Sequence, residues 1–171
     1  MLMFILQCMY LMVPAYFANM MPVFVKKVNF LNKPIHKELL GDHKTWRGLV
    51  FGVIAGIILA YIQFVLQEYE FFFNLGFIDY TNWFSIGFLL GAGALIGDII
   101  KSFFKRKVGI KPGGKFIPWD QLDYSIGSLL FVSLMFAPTL QIVVTVLILN
   151  FVLHIITNHI GYYLKLNDDK W

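Results

Sequence analysis

Charge is what this sequence has least of. Only 14% of its 171 residues are Asp, Glu, Lys or Arg, where a soluble domain carries about a quarter. With 58% hydrophobic and 18% aromatic residues, the chain is no soluble enzyme or binding module; it is expected to be an integral membrane protein. A single cysteine, Cys8, excludes an internal disulfide, and its apolar surroundings predict a buried, inert thiol. No cationic segment precedes the first apolar run, which outlasts the core of a signal peptide. Met1 to Val25 is therefore read as a retained span, bent at Pro14. Zinc-ligand spacing such as His-Glu-x-x-His is missing; His36, His43, His154 and His159 are scattered. The Gly-x4-Gly-Lys-Ser/Thr spacing of a P-loop is missing too, and Ser102 has no base with triad logic. The net charge of +4 comes without any nucleic-acid motif, so nucleic acid is excluded as a partner in favour of the bilayer and phosphates. There is no internal repeat.

Long apolar runs are what the chain does have. A span needs roughly 20 apolar residues, and about five candidates follow one another near 2–25, 46–66, 83–104, 120–137 and 139–160. The fourth is short, and Pro138 marks the turn after it. The expected fold is an all-α integral membrane protein: a single domain over 1–171, built as a polytopic bundle of about five transmembrane helices with cytoplasmic loops. With that count, all 14 Lys and Arg fall in three segments on one side, and the opposite loop, Gln67 to Asn82, has only Glu68, Glu70 and Asp79. The positive-inside rule then places the N-terminus outside, the C-terminus inside and the cationic face in the cytoplasm, in a plasma membrane. Glycines four apart, Gly48, Gly52 and Gly56, then Gly87 and Gly91, then Gly93 and Gly97, predict close helix packing within the chain and leave a homodimer interface open.

Chemistry concentrates in Gly97 to Tyr124, which holds three carboxylates and six cations. Asp98, Ser102 and Lys105 share one helix face by spacing, and Asp120 and Asp123 share another. Between them Gly109-Ile-Lys-Pro-Gly-Gly reads as a turn with open backbone N–H groups. Folding the third and fourth spans together brings the three acids close, where they repel unless a divalent cation sits between them. The competing reading is a set of surface ion pairs with Lys101 and Lys105. A second block, Gly41-Asp-His-Lys-Thr-Trp-Arg-Gly48, puts Lys44, Thr45 and Arg47 at a helix N-terminus, a setting that attracts phosphate; ordinary positive-inside flanking is its rival. Asn19, between Pro14 and Pro22, and Asn158 are amides within spans; Asn19 is expected to face the bundle interior, with simple interhelical hydrogen bonding as the plainer role.

These blocks resemble the CDP-archaeol synthases, the archaeal-type branch of the CTP:phosphatidate cytidylyltransferases. The likeness rests on Gly97-Asp98, Lys101-Ser102, Lys105-Arg106, Gly109-Ile-Lys-Pro-Gly, Pro118 and Asp120-Gln-Leu-Asp123-Tyr. It extends to Pro14-Ala-Tyr-x-Ala-Asn19-x-x-Pro22, Gly41 to Gly48, and His154-x3-Asn158-x3-Tyr162 with Trp171. Gln121 stands where the broader family has Arg, as is usual in the archaeal-type branch, and Asn29 to Leu40 matches least. The resemblance implies a five-span bundle that joins CTP and a diether lipid phosphate of the 2,3-bis-O-geranylgeranyl-glycerol 1-phosphate type into CDP-archaeol and pyrophosphate. It implies Mg²⁺ on Asp98, Asp120 and Asp123, with these and Lys105 and Arg106 as the catalytic set. Lys44, Thr45, Arg47, Lys101, Ser102, Lys111 and Asn19 would bind CTP phosphates or substrate. A groove between glycine-lined helices would admit isoprenoid tails. Alternatives are an ester-lipid CDP-diacylglycerol synthase, a small transporter subunit and a structural scaffold. The Asp-Gly-x-x-Ala-Arg core of the CDP-alcohol phosphotransferases is missing.

Overall fold

The computed structural model describes residues 1–111 and 114–163. The expectations for Pro112 and Gly113 in the turn, and for Lys165, Lys170 and Trp171 in the tail, lie outside the described residues. Among the described residues the chain is helical, with one isolated bridge between Pro34 and Thr45. The long helices are α1 (Leu2–Phe24), α3 (Trp46–Leu66), α5 (Trp83–Lys107) and α7 (Leu140–Tyr163). Helix α6 (Trp119–Val132) packs antiparallel to α5, and short helices α2 (Lys37–Leu40) and α4 (Glu70–Leu75) lie at opposite ends of the bundle.

Among the described residues four stretches, Leu2–Lys27, Trp46–Leu66, Tyr80–Lys107 and Leu140–Ile160, are long and apolar enough to cross a membrane. The span expected at 120–137 is a shorter helix. The 14 residues of α6 cover about 21 Å, less than the ~30 Å hydrocarbon core. The helix ends where Leu134 and Met135 donate to Phe131 and Val132 in a turn, and Pro138 prevents its resumption before Thr139. The chain thus returns through the bundle as a helix plus a bent connection.

Helix α1 runs through Pro14 and Pro22. Each proline leaves the carbonyl four residues earlier without its helical donor. For Pro14 that carbonyl is Tyr10, and Gln63 of α3 donates to it at 2.6 Å. Gln63 is only 2% exposed, and a buried amide in a span requires such a partner. For Pro22 the freed carbonyl is Ala18, against which the backbone of Gly52 packs; a Cβ at Gly52 would stand 2.7 Å from that oxygen.

Helix α5 is the centre of the bundle because its glycines face two neighbours. Gly87 and Gly91 meet Gly56 of α3, whereas Gly93 and Gly97 meet Gly127 of α6. A Cβ at Gly93 would lie 2.6 Å from the Gly127 oxygen, so the backbones touch in the way small residues allow in lipid. Helix α7 closes on α1 through Tyr16, whose hydroxyl donates to Asn150 Oδ1 at 2.6 Å. The interior amide of the last helix is therefore Asn150; Asn158 is half-buried and pairs with His154 one turn back.

Candidate active site

The polar residues gather at the end of the bundle where α3 and α6 begin and α5 ends. The first wall is the loop before α3. Ile35 N–H donates to Lys44, Trp46 N–H to Lys33, and Arg47 N–H to Leu31. The Thr45 hydroxyl accepts from Gly48 N–H at 3.2 Å as the N-cap. The N–H groups expected to attract phosphate are thus already bonded. What this block offers an anion is side chains: the Lys44 ammonium and the remaining hydroxyl proton of Thr45. Arg47 is 5% exposed, and its guanidinium donates to the Val28 carbonyl, tying down the start of the loop.

The second wall is the end of α5. Gly109 takes a φ of +80°, and the N–H groups of Ile110 and Gly109 bond back to Lys105 and Arg106, a Schellman stop. The Gly109 N–H is therefore not open, contrary to the expected turn. Arg106 donates to the Ile110 carbonyl and secures this corner.

Between the walls the three carboxylates converge on one lysine. Lys101 Nζ lies 3.2 Å from Asp98 Oδ1, 3.0 Å from Asp120 Oδ1 and 2.9 Å from Asp123 Oδ2. Spacing put Lys105 on the face of Asp98, but Lys105 reaches across to Asp120 at 2.8 Å. Asp120 also accepts from Phe116 N–H at 2.7 Å, and Asp123 from Tyr124 N–H at 2.7 Å. The Lys44 ammonium pairs with Asp98 from the first wall. Three carboxylates and three ammonium groups form one nearly balanced cluster.

Two cavities meet at that cluster. A polar one of about 660 Å³ is lined by Asn19, Lys44, Thr45, Arg47 and all three aspartates, together with Lys101 and His154. An apolar groove of about 490 Å³ runs between α5 and α6, lined by Ile100, Phe104, Trp119, Ile126 and Leu130 among others. Lys101 and Asp123 line both. Of the residues singled out from sequence, Lys105 touches the polar cavity only through Asp120, and Ser102 is buried and lines neither cavity. Arg106 and exposed Lys111 also lie off both. His154 matches no metal-ligand spacing, yet it lines the polar cavity and pairs with Asn158, its i, i+4 partner in the family-like block.

Mg²⁺ prefers oxygen donors at near-octahedral positions. Three carboxylates from two helices, aimed at one point, fit it in donor chemistry. The common point is taken by the Lys101 ammonium, and among the described residues no three acids or histidines are placed to close on an ion directly.

Residues 1–171 match the family model of the CarS-like CDP-archaeol synthases. The CDP-archaeol synthase of Archaeoglobus fulgidus is 33% identical over 176 residues, covering 98% of each chain. That of Thermofilum pendens is 34% identical over 174 residues, 92% of this chain and 77% of its own. A solved intramembrane enzyme for archaeal membrane lipid biosynthesis shares 28% identity and a TM-score of 0.69, over 87% of this chain and 90% of that one. Fold, charged cleft and these likenesses define a multi-span membrane enzyme. The chain belongs to the CDP-archaeol synthase family. That membership sets aside the transporter and scaffold readings.

Proposed function

We propose that this chain transfers CMP from CTP to the phosphate of a diether lipid of the 2,3-bis-O-geranylgeranyl-glycerol 1-phosphate type, releasing pyrophosphate and forming CDP-archaeol. The observation that carries this reading is the meeting of a charged cavity and an apolar groove at Lys101 and Asp123. A nucleotide triphosphate suits the first and prenyl tails the second, which brings the two phosphates together at the shared wall. An oxygen of the lipid phosphate, already ionised near neutrality, attacks the α-phosphorus of CTP. A P–O bond forms there as the bond to the β-phosphate oxygen breaks, and pyrophosphate leaves with the electron pair. No general base is needed; the step depends on alignment and on cations against growing negative charge.

Lys44, Lys101 and the Thr45 hydroxyl supply donors to the phosphates, and the Asn19 amide adds a neutral one at the cavity wall. Lys105 holds Asp120 in place from behind. Asp98, Asp120 and Asp123 would hold Mg²⁺, which would withdraw negative charge from the phosphates. The cationic end faces the cytoplasm of a plasma membrane, where CTP is present, with the N-terminus outside; this rests on the placement of Lys and Arg. The relatives' names favour the diether over an ester phosphatidate. The test is purified protein with labelled CTP, Mg²⁺ and either the diether or the diester phosphate, scored for liponucleotide. Product from the diether is expected. A folded sample that makes none from either lipid refutes the proposal, and product from the diester alone overturns the lipid assignment.

A further inference from the structure

Lys101 stands where a metal ion would be expected. Its ammonium has three protons and three carboxylate neighbours, at 2.9 to 3.2 Å. Lys44 and Lys105 each have an aspartate of their own, so Lys101 is the only one of these three lysines that all three acids share. We infer that Lys101 is a built-in counter-cation: it holds the three aspartates together in the resting protein, yields their common point to the entering divalent cation, and carries its freed ammonium to a substrate phosphate. This inference rests on the cytidylyltransferase reading above.

Two observations separate Lys101 from a permanent structural pin. It lines both cavities, so its flexible four-carbon stem has open space to swing into on either side. Lys105 lines neither, and its Asp120 is also fixed by Phe116 N–H; that lysine is the pin. The charge balance also requires a change. Three ammonium groups against three carboxylates offer a polyphosphate little net attraction. A divalent cation taking the place of Lys101 adds two charges to the cluster and leaves an ammonium free to meet the anion.

The test uses the full chain in detergent, without nucleotide or lipid, and Mn²⁺ as the probe. Mn²⁺ binding is followed by the loss of the free-ion EPR signal in wild type, Asp123→Asn and Lys101→Met. On the wild type alone, an amine-reactive reagent and mass spectrometry give the labelling rate of Lys101, with exposed Lys107 as reference. Mn²⁺ is expected to raise Lys101 labelling several-fold and leave Lys107 unchanged. Lys101→Met is expected to bind Mn²⁺ at least about tenfold more tightly, because the competing charge is gone, and to melt lower than wild type only when metal is withheld. Asp123-dependent Mn²⁺ binding with no change in Lys101 labelling overturns the exchange and leaves the metal reading standing. Mn²⁺ binding that is absent, or indifferent to Asp123→Asn, overturns the metal reading itself. Should Lys101→Met not fold, wild-type labelling decides.

Discussion

Replacing Gly97 by alanine puts one carbon where α5 and α6 touch, directly behind the acids. The new Cβ collides with the carbonyl oxygen of Asp123 and stands 3.1 Å from its carbonyl carbon and 3.2 Å from Gly127 Cα. Relaxed carbon contacts lie at about 3.5–4.0 Å, so the two helices must separate by roughly half an ångström or more. Overpacking of this kind costs about 1–3 kcal/mol. Asp120 and Asp123 travel with α6 while Asp98 and Lys101 stay on α5, so the 3.0 and 2.9 Å pairs across the seam lengthen directly. A misplacement near 1 Å can cost on the order of a hundredfold in rate, and about tenfold is the expected loss here. Gly87→Ala is the control. Its Cβ would lie 2.6 Å from Ile57 Cα, a comparable clash on the α3 side, and about 16 Å of helix separates it from Asp98. The measurements are kcat/KM for CTP incorporation and the thermal midpoint in detergent. Both variants should melt lower, and only Gly97→Ala should lose activity beyond its loss of folded protein. Wild-type kcat/KM in Gly97→Ala, or an equal loss in Gly87→Ala, would refute the reasoning.

Three other outcomes follow from particular contacts. Asp123→Asn should abolish turnover in a chain that still melts cooperatively; near-normal CTP incorporation would remove Asp123 from the site. Gln63→Leu strands the Tyr10 carbonyl and should lower stability by about 1–2 kcal/mol. In a Pro14→Ala background, where residue 14 regains its own N–H for Tyr10, the same change should cost clearly less; thermal unfolding of the four-member cycle reads the difference. Thr45→Ala removes the N-cap of α3 and should cost about 1 kcal/mol, whereas Thr45→Ser should keep both stability and activity; an activity loss in Thr45→Ser would point to a role for the methyl group.

Much of the molecule was legible before any tertiary structure. Apolar run length located the four long spans, and the span whose apolar run is short, Ser125 to Ala137, is the helix that falls short in the fold. The confinement of Lys and Arg to three segments implied one charged end; two of them, the Lys44 and Asp98 to Asp123 blocks, do meet there, and the tail lies outside the described residues. These features are local: hydropathy and charge act residue by residue, and helical spacing decides which residues share a face. Spacing does not fix how far one helix is rotated against the next, or which long side chain crosses the gap. Tertiary structure alone therefore decided that Lys101, not Lys105, sits among all three aspartates, and that Arg106 closes a loop at Ile110. Only folding could occupy the N-terminal N–H groups of α3 with the carbonyls of Leu31 and Lys33. Gln63 shows the same division. Pro14 announced a carbonyl without a donor, and only the packing of α3 against α1 supplied one.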